Sequence, residues 1–584
     1  MSSSSSGRWI VFTVLAFFPA ACAPLTERND SAEDRILEER AREYFDERFR
    51  FYPVEATVAG VHAYDGELGR FEVSQITSRV RQLRDLRQRL LGIDLAVLSW
   101  DGFVDALWLT STVKAELFEL EQIEPWRKSP GFYADVICRG VSSLLEPWGS
   151  PRVDALLSRL GQVPLLLQAA IGNLENPSPL ALEEGLADLE TCQETIADLP
   201  RGLEGFSHDA RADEIERAAR QAGEHIQGFI SHLENDVTPA GPDSFRWGEE
   251  KLRLQLLYRE MEETPLQTIR LIAERELSDT RDRVKELAVT LDRSSMTAEP
   301  SATSAEQQDP LGGEVMEPTE ELVSATGKLL ATLRQWVSER EMTESVSEAP
   351  IPAVKVSRFV PPHVLARLEA PGPLDPSSGA VFLLAPPKES PTGRIPGPAV
   401  PYELQALAMR EVYPGKYFRL VTGRGQAGRS DLRRLLISRA NREGWAHYAE
   451  TTLLDEGYAG ADPRLKMASL QHLALEQTRL VTAILLHAGD LSLSTATNMF
   501  VNEADLDPLT AEREARRVAL DPNVMSASLG RLQIMKLRRD FLGARGDTTA
   551  SREFHRAFLC SGELPLRLVR LLLLSRGEGQ TLED

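Results

Sequence analysis

Cysteine is nearly absent from this sequence: 584 residues contain four, and the first, Cys22, belongs to the N-terminal segment. The other three, Cys138, Cys192 and Cys560, show no metal-knuckle spacing, and an odd number cannot pair completely among themselves. Buried free thiols fit them better than a Cys138–Cys192 bridge, so the fold is not expected to depend on disulfides. Positive charge is also short. Lys and Arg total 66 against 88 Asp and Glu, a net charge of −22, which argues against a nucleic-acid partner because phosphate binding needs clustered cations. Past the N-terminus no charge-free apolar run reaches the roughly 20 residues that span a bilayer. No Gly-x-Ser-x-Gly elbow occurs, which removes support for a serine hydrolase. Gly423-Arg-Gly425-Gln-Ala-Gly428 copies the lettering of a dinucleotide fingerprint, but no strand–turn–helix unit surrounds it, and a loop is the better reading.

What is present begins with an export signal. A polar stretch ending at Arg8 precedes the largely apolar Trp9–Phe18, then Pro19-Ala20-Ala21-Cys22. That order is a secretory n-region, h-region and small-residue cleavage site. Small residues directly before a Cys are what lipoprotein processing requires, so Cys22 is expected to carry lipid and become the mature N-terminus. The protein is then expected to be membrane-anchored, at the outer membrane and facing the periplasm. Cleavage after Ala23 instead would release it in soluble form.

Helical periodicity dominates the rest, and the fold class expected is mainly α. Residues 23–34 read as a linker after the 1–22 signal peptide. Residues 35–345 read as a helical N-terminal region, with apolar stripes such as Ile76, Val80, Leu83, Leu86 and Leu90 at three- and four-residue steps. Further stripes fall at about 153–175, 210–235, 265–291 and 318–340. Within the region, 294–318 is rich in Ser, Thr, Glu, Gln, Pro and Gly, and reads as a flexible insertion. Residues 350–584 form a C-terminal region of helices plus a small sheet. Its strands are expected at 354–360, 366–370 and 380–384, and its helices at about 402–413, 431–456, 464–488, 508–519, 524–543 and 551–572.

Two stretches of that region carry candidate chemistry: Leu407-Ala-Met-Arg-Glu-Val-Tyr-Pro-Gly-Lys416 and Glu443-Gly-Trp-Ala-His-Tyr-Ala-Glu450. On a helix, Glu443, His447 and Glu450 stand at i, i+4 and i+7 and share one face with Leu436, Ala440 and Leu454. Charges on an apolar face must be paired, hydrogen-bonded or metal-bound. Residues alone leave a structural ion-pair network and a functional site both open.

The chain resembles a bacterial family, "domain of unknown function 885", often lipoproteins and grouped with zincin-like metallopeptidases. The family's mark is His-Glu-x-x-Pro-Gly-His, followed about thirty residues later by Glu-Gly-Trp-Ala-x-Tyr-x-Glu. The second motif stands intact as Glu443–Glu450. The resemblance extends to Pro53-x-x-Ala56-Thr57-x-x-Gly60-x-His62, Arg479-Leu480-Val481, His487, and Phe554-His555 with Gly562-x-x-Pro565-Leu566. It implies a zinc metallopeptidase with Glu411 as general base and Glu443 as a metal ligand, and a cleft that includes His447, Tyr448, Glu450, Arg479 and His487. Yet Arg410 and Lys416 occupy both histidine positions of the first motif. Guanidinium and ammonium offer no lone pair to a metal. The family's Tyr near 522–530 is missing too. The site therefore reads as degenerate, with no cofactor expected and Arg410 and Lys416 neutralising Glu443 and Glu411. The expected function is a lipid-anchored pseudopeptidase that binds peptide or protein. The alternatives are a hydrolase with a relocated metal, held by His447, His472 and His487 with Glu443 and Glu450, and a purely structural envelope lipoprotein.

Overall fold

The computed structural model describes residues 31–145, 152–203, 209–297, 320–340, 351–356, 364–375, 379–385, 400–424, 430–545 and 551–574. The signal peptide with Cys22, most of the 294–318 insertion and the Gly425–Gly428 loop lie outside them.

The chain is mainly helical, with one small sheet. The first helix, α1 (Ala32–Phe51), starts on a capping box: Ser31 Oγ accepts from Asp34 N at 3.0 Å while Asp34 accepts from Ser31 N at 2.9 Å. It ends before Pro53, where helical backbone is disfavoured. Helix α2 (Val73–Leu91) buries Ile76, Leu83, Leu86 and Leu90, the stripe read from the sequence. Helix α3 (Trp100–Phe118) gave no such stripe because it is buried on most sides, Val104, Trp108, Leu109 and Val113 among its core residues. Charge enters that core at Glu116, which accepts from Arg79 Nε at 2.8 Å, Arg48 Nη1 at 2.7 Å and Tyr44 Oη at 2.8 Å. Helix α4 (Val153–Asn173) is long and apolar enough to cross a membrane, but packs Leu156, Leu160, Val163 and Leu167 into the core instead. Cys138 and Cys192 are free thiols, and contact with Cys138 together with burial pushes the Cys192 thiol up.

The sheet matches the short strand signals. Strands β1 (Ala353–Val356), β2 (Ala366–Glu369) and β3 (Val381–Leu384) lie in the order β1–β3–β2. β3 pairs parallel with β1 (Ala353 opposite Val381) and antiparallel with β2 (Ala366 opposite Leu384), and all four β3 residues are buried.

Two expected helices are broken. The span 431–456 divides into Asp431–Leu435 and Arg439–Asp455, with Leu436 extended, so Leu436 does not continue the face of Glu443. The span 551–572 breaks at Gly562, whose φ of +84° suits glycine, and at Pro565. One core cluster runs from Leu37 to Leu572, joining both regions of the chain. A second gathers Leu252, Leu256 and Ile269 with Leu480, Ile484, Phe500 and Val518.

Candidate functional site

The site is assembled by a helix whose start is fixed from the other half of the chain. Helix α5 (Glu249–Glu260) ends in a buried carboxylate: Glu260 accepts from Ser438 Oγ and from Ala440 N at 3.1 Å. Ser438 itself caps the following helix by accepting from Asn441 N at 3.1 Å. An anion and a hydroxyl at a helix N-terminus satisfy its unpaired amides and favour its dipole. Burial nevertheless holds the Glu260 carboxyl above its ordinary range.

The two motifs lie on helices α7 (Tyr402–Glu411), α8 (Lys416–Arg424) and α9 (Arg439–Asp455), with α6 (Leu266–Thr297) preceding them in the chain. Three more complete the surroundings: α10 (Pro463–Ala488), α11 (Pro508–Leu520) and α12 (Ser526–Arg545). The intact motif on α9 packs hard against α12. A Cβ added to Gly530 would lie 1.7 Å from Ala440 O, and one on Gly444 would lie 2.4 Å from the Gly530 backbone. Glycine at both positions is what allows the two backbones to meet. Trp445 reaches the other motif by donating from Nε1 to Pro414 O at 2.9 Å, and its ring stacks on Phe558 at 5.3 Å. The turn between α7 and α8 folds back so tightly that a Cβ on Gly415 would sit 1.6 Å from Arg410 O. Lys416 follows directly.

The charged groups pair specifically. Lys416 Nζ lies 2.9 Å from Glu411 Oε1 and 2.9 Å from Glu443 Oε2, with all three side chains partly buried. Burial alone would lower the Lys416 ammonium, but the two carboxylates overcome it and hold the group above its ordinary value. Arg410 turns away from that pair: its Nη1 donates to Glu450 Oε1 at 2.9 Å, both residues being buried. Here burial outweighs Arg410, and the Glu450 carboxyl is raised.

The remaining candidates do not form one cleft. His447 is buried on α9 and stacks on His472 of α10, with ring centroids 5.2 Å apart and planes 16° apart. Arg479 donates from Nε to Glu514 Oε2 at 2.7 Å and also pairs with Glu476. Tyr448 faces away, its hydroxyl 2.7 Å from His555 Nε2. His487 is a framework residue: Nε2 lies 3.0 Å from Val518 O, and Nδ1 accepts from Trp247 N at 3.3 Å. Burial pushes it down to about 4, so it is neutral at pH 7. The proposed cluster of His447, His472 and His487 with Glu443 and Glu450 therefore does not assemble. Sequence reasoning missed Glu476, whose oxygen lies 3.5 Å from His472 Nε2. The spacing His472-x-x-x-Glu476 was the signal for it.

Zinc, which the family resemblance implies, was tested against the residues present. Arg410 and Lys416 supply no lone pair at the two histidine positions, and both are committed to carboxylates. The inherited position does not fit the metal.

Comparison with known proteins places the fold. A lipoprotein candidate of unknown function from Shewanella oneidensis superimposes with a TM-score of 0.71 at 19% identity, over 92% of this chain and 99% of that one. A second lipoprotein candidate, from Colwellia psychrerythraea, gives 0.69 at 15% identity, over 93% and 99%. Among curated proteins none matches. The sequence pattern described as "Bacterial protein of unknown function (DUF885)" matches residues 53–573. The chain belongs to that family.

Proposed function

We propose that this is a lipid-anchored cell-envelope protein that keeps a zincin-like metallopeptidase scaffold without its hydrolytic chemistry, and binds peptide or protein segments through what remains of the cleft. One observation carries the reading: Lys416 Nζ bridges Glu411 and Glu443 at 2.9 Å each. In the resemblance those carboxylates are the general base and a metal ligand. A fixed ammonium between them stands where a metal and its water would serve. Without a Lewis acid, a carboxylate base has no sufficiently acidic water to deprotonate. The packing of α9 on α12 through Gly444 and Gly530 and the Trp445–Pro414 hydrogen bond preserve the scaffold around this ion pair.

The test is a peptide-library digest by the purified protein with added zinc, beside a binding screen of the same peptides. Binding without cleavage is expected. The double variant Arg410→His with Lys416→His should gain a zinc site that Glu443→Gln removes. Cleavage by the unmodified protein, abolished by Glu411→Gln, would overturn the proposal.

Anchoring rests on the Ala20-Ala21-Cys22 sequence, and the two lipoprotein candidates of matching fold are consistent with it. The proposed location is the outer membrane, facing the periplasm. A fatty-acid analogue should label the protein in cells, and Cys22→Ser should abolish the label. A lipidated Cys22 has no thiol left to pair, so a Cys22–Cys560 crosslink in non-reducing mass spectrometry would refute the anchor.

A further inference from the structure

Beside the inherited position stands a second group of donors. His447 projects from α9, while His472 and Glu476 lie one turn apart on α10. A ligand atom from each falls within 4.8 Å of the other two. His447 and Glu476 are 5% and 6% exposed, whereas the His472 side chain is 29% exposed and opens the group to solvent. Neither ring nitrogen of His447 is among the fully buried unpaired atoms, so water or an ion can still reach them. Among the described residues, no hydrogen bond engages either ring nitrogen of His447. Glu476 is only half used: Oε1 accepts from Arg479 Nη1, while Arg479 Nε and Nη2 go to Glu514. Oε2 has no hydrogen bond among the described residues.

We infer that His447, His472 and Glu476 form a divalent-metal site of the two-imidazole, one-carboxylate kind that zinc favours, separate from the position filled by Lys416. Three protein ligands leave a fourth coordination position for water or for a ligand donor. Bonds of about 2.0–2.2 Å put neighbouring donors roughly 3.4 Å apart, so closure needs a shift of about 1 Å, which the partly exposed His472 can supply. The cations that act on His447 do not stand as free charges against a metal. Arg410 is paired with Glu450, Lys416 with Glu411 and Glu443, Arg531 with Glu276 at 3.7 Å, and Arg479 with Glu476 and Glu514. A metal here would tie α9 to α10 beside the Arg410–Glu450 pair.

The full mature chain, stripped with a chelator, should be titrated with Zn²⁺ by calorimetry and with Co²⁺ by visible absorption. One equivalent is expected to bind, with the intense bands of a four-coordinate Co²⁺ site. Losing a direct ligand should cost more than the 10–100-fold typical of outer-shell changes. His472→Gln and Glu476→Gln should therefore each weaken binding by more than about 100-fold. His472 is the variant of choice because its partly exposed side chain makes misfolding less of a concern than at the buried His447. No binding by the wild type, or binding unchanged in both variants, overturns the site and leaves the proposed function standing. Binding lost in Glu443→Gln but kept in His472→Gln would overturn both, because the inherited position would then hold the metal.

Discussion

Arg410→Ala is expected to destabilise the protein by about 3–5 kcal/mol, read as a shift in the denaturant midpoint. Arg410 is the cation of Glu450, and both are buried. Removing one member of a buried pair leaves an uncompensated charge and typically costs that much. Glu450 has an escape, since it can take up a proton. Its carboxyl already sits above the ordinary range because burial outweighs Arg410, and losing the arginine raises it further. A group whose folded pKa is raised is easier to bury when protonated, so stability falls as pH rises from its unfolded value through the folded one. The penalty of Arg410→Ala should accordingly be small at pH 4.5 and grow towards pH 8. Adding Glu450→Gln removes the orphan charge and should recover most of the loss. An Arg410→Ala protein whose penalty does not change with pH, and which Glu450→Gln does not rescue, would show that this pair is not what holds α7 to α9.

The pairing itself was only partly legible in the sequence. That a cation would meet Glu411 or Glu443 followed from desolvation alone, and Lys416 meets both. Arg410 went elsewhere for a geometric reason. Adjacent helical residues point about 100° apart, so with Glu411 facing Lys416, Arg410 must face another neighbour, Glu450. The same geometry explains why the expected cleft was too generous. Tyr448 follows His447 and points round the helix to His555. His487 lies fifteen residues beyond His472, about 22 Å along the same helix at 1.5 Å per residue, too far to share a ligand with it. Both misplacements were open to this reasoning.

Other features left no trace in the local pattern. The mainly α class with a three-stranded sheet could be read because amphipathic stripes and short β-branched runs carry their periods openly. Helix α3 could not, because a helix buried on most sides has no polar face to set the period. Nor did spacing reveal that Glu260 would cap α9 from 180 residues away. That contact is tertiary, and the signal at Ser438 alone specified only a helix start.

The largest acid-dependent effect is expected at Glu116, far from the candidate site. Burial alone would raise this carboxyl, but Arg48, Arg79 and the Tyr44 hydroxyl overcome it and pull it down to about 2 from its ordinary 4.5. A carboxyl with a depressed folded pKa contributes stability that is fully present above about 4.5 and is lost as pH falls towards 2. The shift corresponds to about 3 kcal/mol. Other buried acids, Glu450 and Glu260, are raised and act in the opposite sense, so the wild-type profile alone does not isolate the effect. The difference between wild type and Glu116→Gln does. At pH 7 the variant should be about 3–5 kcal/mol less stable, because Arg79, only 1% exposed, and the partly buried Arg48 lose their shared carboxylate. Between pH 4.5 and about 2 the two profiles should converge as the wild type gives up the charge that the variant lacks. Parallel profiles across that window would mean that Glu116 is not ionised in the native core, and that Tyr44, Arg48 and Arg79 are held together by something other than its charge.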